Sequence, residues 1–296
     1  MIQITRFDAP LGAQIHGIDL SQELADEVFE EIVAAFHEHG VLVFRGQKLD
    51  PDKHVAFSRR WGRLDVNVRS EFNSKSHPEV LIISNILEDG KPIGVQDAGR
   101  FWHTDLCYRE NPARATIIHA IEVPGKEGRP AGDTLYASMT AAYDALPEAW
   151  KARLDGMTAI HSYEHTYDEK AKNFKIRPQL SKEQKSWIPP DVVQPVIRRH
   201  PFTQAKCLYV NEGYTTRILE LAQDESDAML KQLFEHARRP EFQYRHQWQP
   251  GDVTMWDNCL TQHKAVTDYE LPQRRLLRRT TVLGPQSGRE LARRAA

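Results

Sequence analysis

Apolar side chains recur along the chain with two different periods, and each period predicts its own kind of element. Residues 24–36 carry apolar side chains at helical spacing, which predicts an amphipathic helix after Ser21, a candidate N-cap, that ends at Gly40. A second helix is predicted to begin near Pro51 and to place Trp61 on its apolar face. Further helices are predicted around residues 141–146, 150–154 and 229–234.

Short apolar or alternating runs bounded by turn residues predict strands in every third of the chain. The predicted strands cover residues 41–44, 80–84, 115–120, 134–136, 208–210, 242–248, 253–256 and 276–283. This succession of short strands predicts a mainly β, double-layered fold with peripheral helices.

The stretch at 163–195 is polar and has no clear period. Because a long irregular stretch in a compact domain is usually functional or mobile, we interpret it as a lid over the site. His161 and His165 could meet a substrate there, although the pattern favours a solvated role. No repeat, low-complexity tract or linker divides the chain, so residues 1–296 are predicted to form one domain with a flexible tail from about residue 286.

Composition excludes several classes of protein. The 296 residues are 40% hydrophobic and 27% charged, as in an ordinary globular protein, and the net charge of -2 lacks the basic excess of nucleic-acid binders. The chain has no apolar run long enough to span a bilayer, and its start does not resemble a secretion signal. Its three cysteines have no short paired spacing, which favours a reducing compartment. We therefore expect a cytoplasmic protein with neither nucleic acid nor a membrane as a partner.

Two polar residues in the segment from Phe101 to Asp105 are candidate metal ligands. In an extended segment side chains alternate between faces, so His103 and Asp105 point the same way. A second imidazole would complete the two-histidine, one-carboxylate facial triad that suits Fe(II), and His263 is the candidate. We call these three residues the metal triad. An isolated His-X-Asp motif also fits a solvated strand end, so the interpretation depends on the residues that accompany it.

Arginines in the last predicted strand are candidates for binding anions. Arg275, Leu277 and Arg279 share one face of that strand because alternate residues point the same way. Buried guanidinium groups need anionic partners, and their planar fork matches carboxylates bidentately. Solvent exposure or structural ion pairing is the alternative for an isolated arginine-rich strand, but beside a metal triad we favour anion binding.

Several segments follow one another in a known order. They are Trp-His-Thr-Asp at 102–105, Gly-Asp-Thr-Leu at 132–135, the run at 208–218, Trp-Asp-Asn at 256–258, Thr-Gln-His at 261–263 and the arginine-rich 273–279. Together they resemble the taurine dioxygenase and 2,4-dichlorophenoxyacetate dioxygenase family from about Gly12 to Gly284. The resemblance implies a double-stranded β-helix, or jelly roll, and an enzyme that uses Fe(II), 2-oxoglutarate and O2. It also implies a homo-oligomer, either a dimer or a tetramer.

The resemblance implies a role for individual residues. The metal triad matches the family's iron ligands, and Thr134 and Arg275 match the positions that bind the distal carboxylate of 2-oxoglutarate. Arg279 matches the position that binds the acidic group of the substrate. The implied reaction converts 2-oxoglutarate to succinate and CO2 while a substrate C–H bond is hydroxylated. Desaturation or another oxidative outcome remains open, because the triad does not choose among them.

A few positions depart from the family pattern. Asn67 stands where taurine dioxygenases carry a second histidine, and Tyr167 and Tyr214 stand where they carry phenylalanines. Asparagine offers a sulfonate a neutral amide in place of a charged imidazolium, so we expect a small acid other than taurine. Candidates are another sulfonate, a sulfate ester or a carboxylate such as an aryloxyalkanoate. The predicted substrate-binding residues are Arg279, Asn67, Leu106, Tyr167 and Tyr214.

Two other functions compete with the dioxygenase. A jelly-roll module that binds a metal or a small acid without turnover predicts that a triad member or Arg275 is missing, and none is missing. A zinc-dependent hydrolase leaves Thr134 and Arg275 without a role, and the sequence shows no evident glutamate or histidine base for it. We therefore expect the dioxygenase.

Overall fold

The computed structural model describes residues 2–66, 70–126, 128–165, 167 and 188–284. Within these ranges the chain is mainly β, as the sequence predicted, and most strands are short. The strands are β1 (Gln3–Arg6), β2 (Ala13–His16), β3 (Val41–Phe44), β4 (Leu81–Ser84), β5 (Leu87–Glu88), β6 (Lys91–Pro92), β7 (Ala113–Glu122), β8 (Gly125–Lys126), β9 (Arg129–Pro130), β10 (Thr134–Ser138), β11 (Thr158–His161), β12 (Val192–Pro195), β13 (Ile197–Arg199), β14 (Lys206–Leu208), β15 (Thr215–Ile218), β16 (Gln243–His246), β17 (Val253–Asp257), β18 (Thr261–Ala265) and β19 (Leu276–Leu283).

The first predicted helix is confirmed, but its cap is not. Helix α1 (Asp26–His39) is followed by Gly40, whose φ of 69° permits the left-handed turn that stops a helix. Ala25 occupies the N-cap position and no side chain caps the helix. The cap prediction for Ser21 was wrong, because the helix begins five residues later, at Asp26, and Ser21 lies in a preceding turn where its backbone N–H donates to Asp19 Oδ1. The helices with described bounds are α1 (Asp26–His39), α2 (Pro51–Arg59), α3 (Met139–Asp144), α4 (Glu148–Leu154) and α5 (Gln223–Ala237).

A seven-stranded sheet forms the larger layer, in the order β1-β2-β3-β17-β7-β19-β4. Its neighbouring strands are antiparallel except β2 and β3, which are parallel. The central strands alternate between two cores: Ile117 and Met255 pack in the cluster that contains α1 and α2, whereas Ile118 and Trp256 belong to the cluster on the other face. That other face carries the candidate site.

A three-stranded sheet, β16-β10-β18, covers this other face. Tyr136 of β10 is fully buried in one cluster with Ile118, Trp256 and Leu277 of the larger sheet. β18 pairs with β10 so that His263 lies opposite Tyr136. The two sheets therefore line one space between them, which agrees with the predicted double layer.

The remaining strands form smaller sheets, in the order β12-β11-β15 and as the pairs β13-β14, β5-β6 and β8-β9. β11 and β15 contribute to an apolar cluster with α3, α4 and α5, separate from the cluster beside the site. No helix in the described ranges is long and apolar enough to cross a membrane.

Some local predictions need correction. The predicted lid at 163–195 lies mostly outside the described residues, and its last four residues form the regular strand β12. The predicted tail from about residue 286 lies wholly outside them. His161, expected to be solvated, is fully buried, because the Tyr209 ring stacks on its imidazole at a centroid distance of 5.8 Å and the Thr215 hydroxyl lies 3.5 Å from its Nε2. The strand predicted at 208–210 ends at Leu208, and Trp61, although buried, follows the end of α2.

Candidate functional site

A backbone bridge brings His103 and His263 together from distant parts of the chain. His263 lies in β18, and the two residues form an isolated antiparallel bridge. Each backbone N–H donates to the other residue's carbonyl oxygen, at N···O distances of 3.1 and 2.9 Å. The ring centroids are 4.1 Å apart, so the bridge holds the two imidazoles side by side.

Asp105 completes a group of three buried candidate ligands. Its Oδ1 lies 3.6 Å from His103 Nε2, and its Oδ2 lies 3.9 Å from His263 Nε2. One ligand atom from each residue lies within 4.8 Å of the others, and all three side chains are buried. The structure thus brings the predicted triad together. Two imidazoles and one carboxylate fit a divalent iron ion and leave coordination positions open for other ligands.

The protonation states of the triad also suit a metal. His103 Nδ1 lies 2.9 Å from the Phe101 carbonyl oxygen, which can only accept, so Nδ1 carries a hydrogen and Nε2 is the nitrogen that faces Asp105 and can bind a metal. Burial, and then the neighbouring His103, lowers the pKa of His263 well below its usual value, so this imidazole is neutral. Burial alone would raise the pKa of Asp105, but Arg279 and the two histidines hold it below its usual range. Neutral imidazoles and a carboxylate are the forms that bind metals.

One cavity borders the triad and contains the residues expected to bind 2-oxoglutarate and the acidic group of the substrate. Thr134, Arg275 and Arg279 line it together with both triad histidines. Thr134 lies at the start of β10 and accepts a hydrogen bond from Trp248 Nε1 at 3.0 Å. Because this bond uses a lone pair of the hydroxyl, the hydroxyl hydrogen is available to a ligand in the cavity.

Arg275 carries a buried charge. Only 4% of the residue is exposed, its backbone N–H donates to Asn85 Oδ1 at 2.8 Å, and its NH1 donates to the Tyr269 hydroxyl at 3.0 Å. Within the described ranges no carboxylate forms an ion pair with its guanidinium. A buried cation without an acidic partner is costly, so an anionic ligand would supply the missing countercharge.

The predicted alternation of the arginine-rich strand is confirmed. Arg275, Leu277 and Arg279 all line the cavity, whereas more than half of the Arg274 side chain is exposed. Arg279 NH1 lies 3.3 Å from Asp105 Oδ1. Its Nε is buried and has no hydrogen-bond partner among the residues that the structure describes. Arg279 can therefore donate to an anion placed beside the triad.

The other predicted substrate residues differ in their distance from the triad. The Tyr214 ring centroid lies 6.1 Å from that of His103, edge to face. Leu106, directly after the triad aspartate, is buried and has a φ of 53°, which few non-glycine residues adopt. Tyr167 is buried and packs beside Tyr163 at a centroid distance of 6.2 Å. Asn67 lies outside the described residues.

Sequence analysis missed several tyrosines around the site. Tyr108 and Tyr163 contact the Tyr214 ring at centroid distances of 4.8 and 6.5 Å, and Tyr269 hydrogen-bonds Arg275. Tyr108 follows the His-X-Asp motif closely, so its position was a usable signal. No local pattern connects Tyr163 or Tyr269 with the site.

A second buried group of possible ligands, His200, Asp257 and Cys259, does not line the cavity. His200 Nε2 lies 2.9 Å from Asp257 Oδ2, and its Nδ1 accepts from the backbone N–H groups of Phe202 and Thr203. Burial raises the pKa of Cys259 well above its usual value, which keeps the sulfur protonated. Both imidazole nitrogens are engaged and the thiol is a poor ligand, so we interpret this group as structural.

Comparisons with known proteins agree with the geometry. The family model "Taurine catabolism dioxygenase TauD, TfdA family" matches residues 3–281. Pentalenolactone F synthase of Streptomyces avermitilis is 37% identical over 294 residues, which cover 95% of this chain and 94% of that protein. The alpha-ketoglutarate-dependent 2,4-dichlorophenoxyacetate dioxygenase of Cupriavidus pinatubonensis is 34% identical over 282 residues, which cover 92% of this chain and 94% of that protein.

A solved structure extends the likeness to three dimensions. The crystal structure of a taurine dioxygenase from Burkholderia xenovorans matches with a TM-score of 0.79 and 32% sequence identity. The match covers 96% of this chain and 90% of that one. Alpha-ketoglutarate is another name for 2-oxoglutarate, so the relatives also agree with the expected cosubstrate. The chain therefore belongs to the TauD/TfdA family and is an Fe(II)- and 2-oxoglutarate-dependent dioxygenase.

Proposed function

We propose that this enzyme hydroxylates a small acidic substrate and that His103, Asp105 and His263 hold its iron. The observation that carries the proposal is the convergence of these buried side chains beside a cavity that two arginines line. When bound, Fe(II) would supply the activation of O2. Two of the four electrons that reduce O2 come from 2-oxoglutarate, which becomes succinate and CO2, and the other two come from the substrate. The protein's own residues then have to position both organic molecules.

Arg275 and Thr134 bind the distal carboxylate of 2-oxoglutarate. The guanidinium is buried and donates to Tyr269, and its remaining N–H groups can meet a carboxylate bidentately. The Thr134 hydroxyl accepts from Trp248 and is free to donate its hydrogen to the same carboxylate. A neutral end group at this position would leave the arginine without countercharge, so the site selects a dicarboxylate.

Arg279 binds the acidic group of the substrate. It projects into the cavity next to the triad, with a buried Nε that is available to an anion. Taurine, in the family's name, is a sulfonate, and one relative is named for an aryloxy carboxylate. Both groups accept hydrogen bonds from a guanidinium, and so does a sulfate ester. Leu106 and Tyr214 would contact the body of the substrate, and Asn67 and Tyr167 remain predicted contacts.

Burial makes these interactions effective. The triad, Thr134 and Arg275 are all buried, and charge–charge interactions are stronger where water is excluded.

The two sheets that line the site support the jelly-roll assignment, and we propose that residues 1–296 form one such domain.

The same proposal extends to the cellular setting. The three cysteines are free and buried, which supports a reducing compartment, and we propose the cytoplasm. The net charge of -2 gives no electrostatic basis for a nucleic-acid partner, and we propose no membrane partner. The family resemblance supports a homo-oligomer, a dimer or a tetramer.

A binding module without turnover is not favoured. Every triad member and both cavity arginines are present, and the relatives are named as dioxygenases and a synthase. A zinc hydrolase would leave the buried charge of Arg275 without a role.

Succinate release tests the proposal. Anaerobically iron-loaded protein is mixed with 2-oxoglutarate and exposed to O2 with a panel of sulfonates, sulfate esters and aryloxy acids, each beside a neutral analogue. We expect iron-dependent succinate release that one acid stimulates and its neutral analogue does not. No release from iron-loaded protein with any acid would contradict turnover. A slow basal release that no acid stimulates would leave the dioxygenase assignment in place and rule out the tested acids as substrates.

A further inference from the structure

A continuous set of hydrogen bonds links the Asp105 carboxylate to the backbone nitrogen of the same residue. Thr116 Oγ1 lies 2.7 Å from Asp105 Oδ2, and Asn258 Nδ2 lies 3.0 Å from Thr116 Oγ1. Asn258 Oδ1 lies 3.1 Å from Trp256 Nε1 and 3.2 Å from the backbone nitrogen of Asp105. Thr116 and Asn258 are fully buried. The set therefore begins and ends at the same triad residue.

The donors and acceptors in this set fix the direction of each bond. Trp256 Nε1 and the backbone nitrogen of Asp105 can only donate, so the Asn258 atom that faces them is the carbonyl oxygen. The amide nitrogen of Asn258 then faces Thr116 and donates to its oxygen. Thr116 in turn donates its hydroxyl hydrogen to Asp105 Oδ2. The same two side chains thus hold both the backbone and the carboxylate of the triad residue.

Sheet register brings these residues together. β7 and β17 are antiparallel neighbours, and Thr116 lies directly opposite Trp256. Asn258 follows β17, and its backbone N–H donates to the Arg114 carbonyl oxygen at 2.8 Å, which ties it to the start of β7. Because backbone hydrogen bonds fix the register, the hydroxyl and the amide are in place whether or not a ligand is bound.

We infer that Thr116 and Asn258 are positioning residues that hold the Asp105 carboxylate in the orientation a metal requires. The inference rests on the proposed function of the triad and adds two residues that do not line the cavity. Groups that hydrogen-bond a metal ligand orient it, and their loss typically lowers metal affinity by roughly 10- to 100-fold.

Metal titration of Thr116→Val tests the inference, because valine keeps the shape of threonine and removes the hydroxyl. Binding of Mn(II) and Co(II) to metal-free protein is followed by calorimetry, and the visible absorption of Co(II) reports its coordination. We expect roughly 10- to 100-fold weaker binding and a changed Co(II) spectrum. Thr116→Ser, which keeps the hydroxyl, should recover most of the affinity.

Thr254→Val is the matched control. Thr254 is fully buried in the adjacent strand β17, and its hydroxyl contacts His246 in place of the triad. This variant loses a buried hydroxyl from the same sheet, so its metal affinity should equal that of the wild type. Thr116→Val combined with Asn258→Ala should cost less affinity than the product of the two single losses, because both residues act on one carboxylate.

The outcomes separate this inference from the function on which it rests. Wild-type binding with an equally tight Thr116→Val variant would overturn the positioning role alone. Equal losses in Thr116→Val and Thr254→Val would also overturn it, since a general loss of packing would then explain both. A wild-type protein that binds neither metal would overturn the proposed metal site together with the inference.

Discussion

Replacing Arg275 by glutamine should weaken 2-oxoglutarate binding by about two to three orders of magnitude. The guanidinium is buried, and it can donate two parallel hydrogen bonds to one carboxylate. A hydrogen bond to a charged group contributes about 1.5–3 kcal/mol. The loss of two such hydrogen bonds, partly offset by those that the neutral glutamine amide can make, reduces the binding free energy of 2-oxoglutarate by about 3–4 kcal/mol. At about 1.4 kcal/mol for each tenfold change, Kd rises by roughly 100- to 1000-fold.

Calorimetric titration of 2-oxoglutarate into anaerobic, Mn(II)-loaded protein measures this Kd without turnover. Arg274→Gln is the matched control, because this neighbouring arginine is more than half exposed and pairs with Glu122. The Arg274→Gln variant should bind 2-oxoglutarate with the wild-type Kd. Tyr269→Phe removes the hydroxyl that Arg275 donates to, and a loss of about 1 kcal/mol should raise Kd about fivefold. A wild-type Kd in Arg275→Gln with normal metal content would refute the assignment.

The remaining predictions concern the substrate, the packing of the site and pH. Arg279→Gln should raise the KM for the acid substrate while substrate-free decarboxylation of 2-oxoglutarate, measured as succinate, persists. A Cβ at Gly213 would lie 2.6 Å from the Phe101 ring and 2.9 Å from His103 Cβ, so Gly213→Ala should lower the urea-unfolding free energy by about 1–3 kcal/mol and weaken metal binding. Burial lowers the pKa of His54 to about 3, so the unfolded chain, with a pKa of about 6.5, takes up this proton first as pH falls. Stability should fall from about pH 6.5 towards pH 3, and His54→Gln should reduce that slope by up to about 1.4 kcal/mol per pH unit in urea titrations.

Each of these predictions has a control or a contradicting result. Arg278→Gln should change neither KM nor decarboxylation, because Arg278 donates to the Leu49 carbonyl outside the cavity; equal loss of both activities in Arg279→Gln would contradict separate roles. Among the described residues, a Cβ at Gly125 meets just the Arg129 carbonyl oxygen, at 3.6 Å, so Gly125→Ala should bind metal normally. For His54→Gln, a slope equal to that of the wild type would show that this histidine does not resist protonation.

The triad and most strands were predictable because their signals are local. The last strand was predicted at 276–283 and forms β19 with the same bounds, since its alternation requires an extended chain. Ligands two residues apart share a face in any extended segment, which made His103 and Asp105 recognisable without tertiary information. The order of the motifs then identified His263 as their distant partner.

Features that depend on strand pairing were not predictable. Thr116 lies in an apolar run that indicates only a buried strand, and its hydroxyl meets Asp105 and Asn258 because β7 pairs with β17 in one register. His161 lies next to a polar stretch, which predicted exposure, yet the fold places the Tyr209 ring against its imidazole and buries it. Ser21 shows a similar limit at short range, because it lies in a turn with Asp19 and the helix begins five residues later, at Asp26.

Measuring which residues iron binding requires is the most direct test of the central claim, that His103, Asp105 and His263 form the metal centre. The described residues contain two buried groups that could hold a metal: the triad and the group of His200, Asp257 and Cys259. Anaerobic equilibrium dialysis against Fe(II) should find a single iron ion on the wild type and on Cys259→Ser, and no tightly bound iron on His263→Gln. Iron retained by His263→Gln, or lost from Cys259→Ser, would contradict the assignment of the triad as the metal centre.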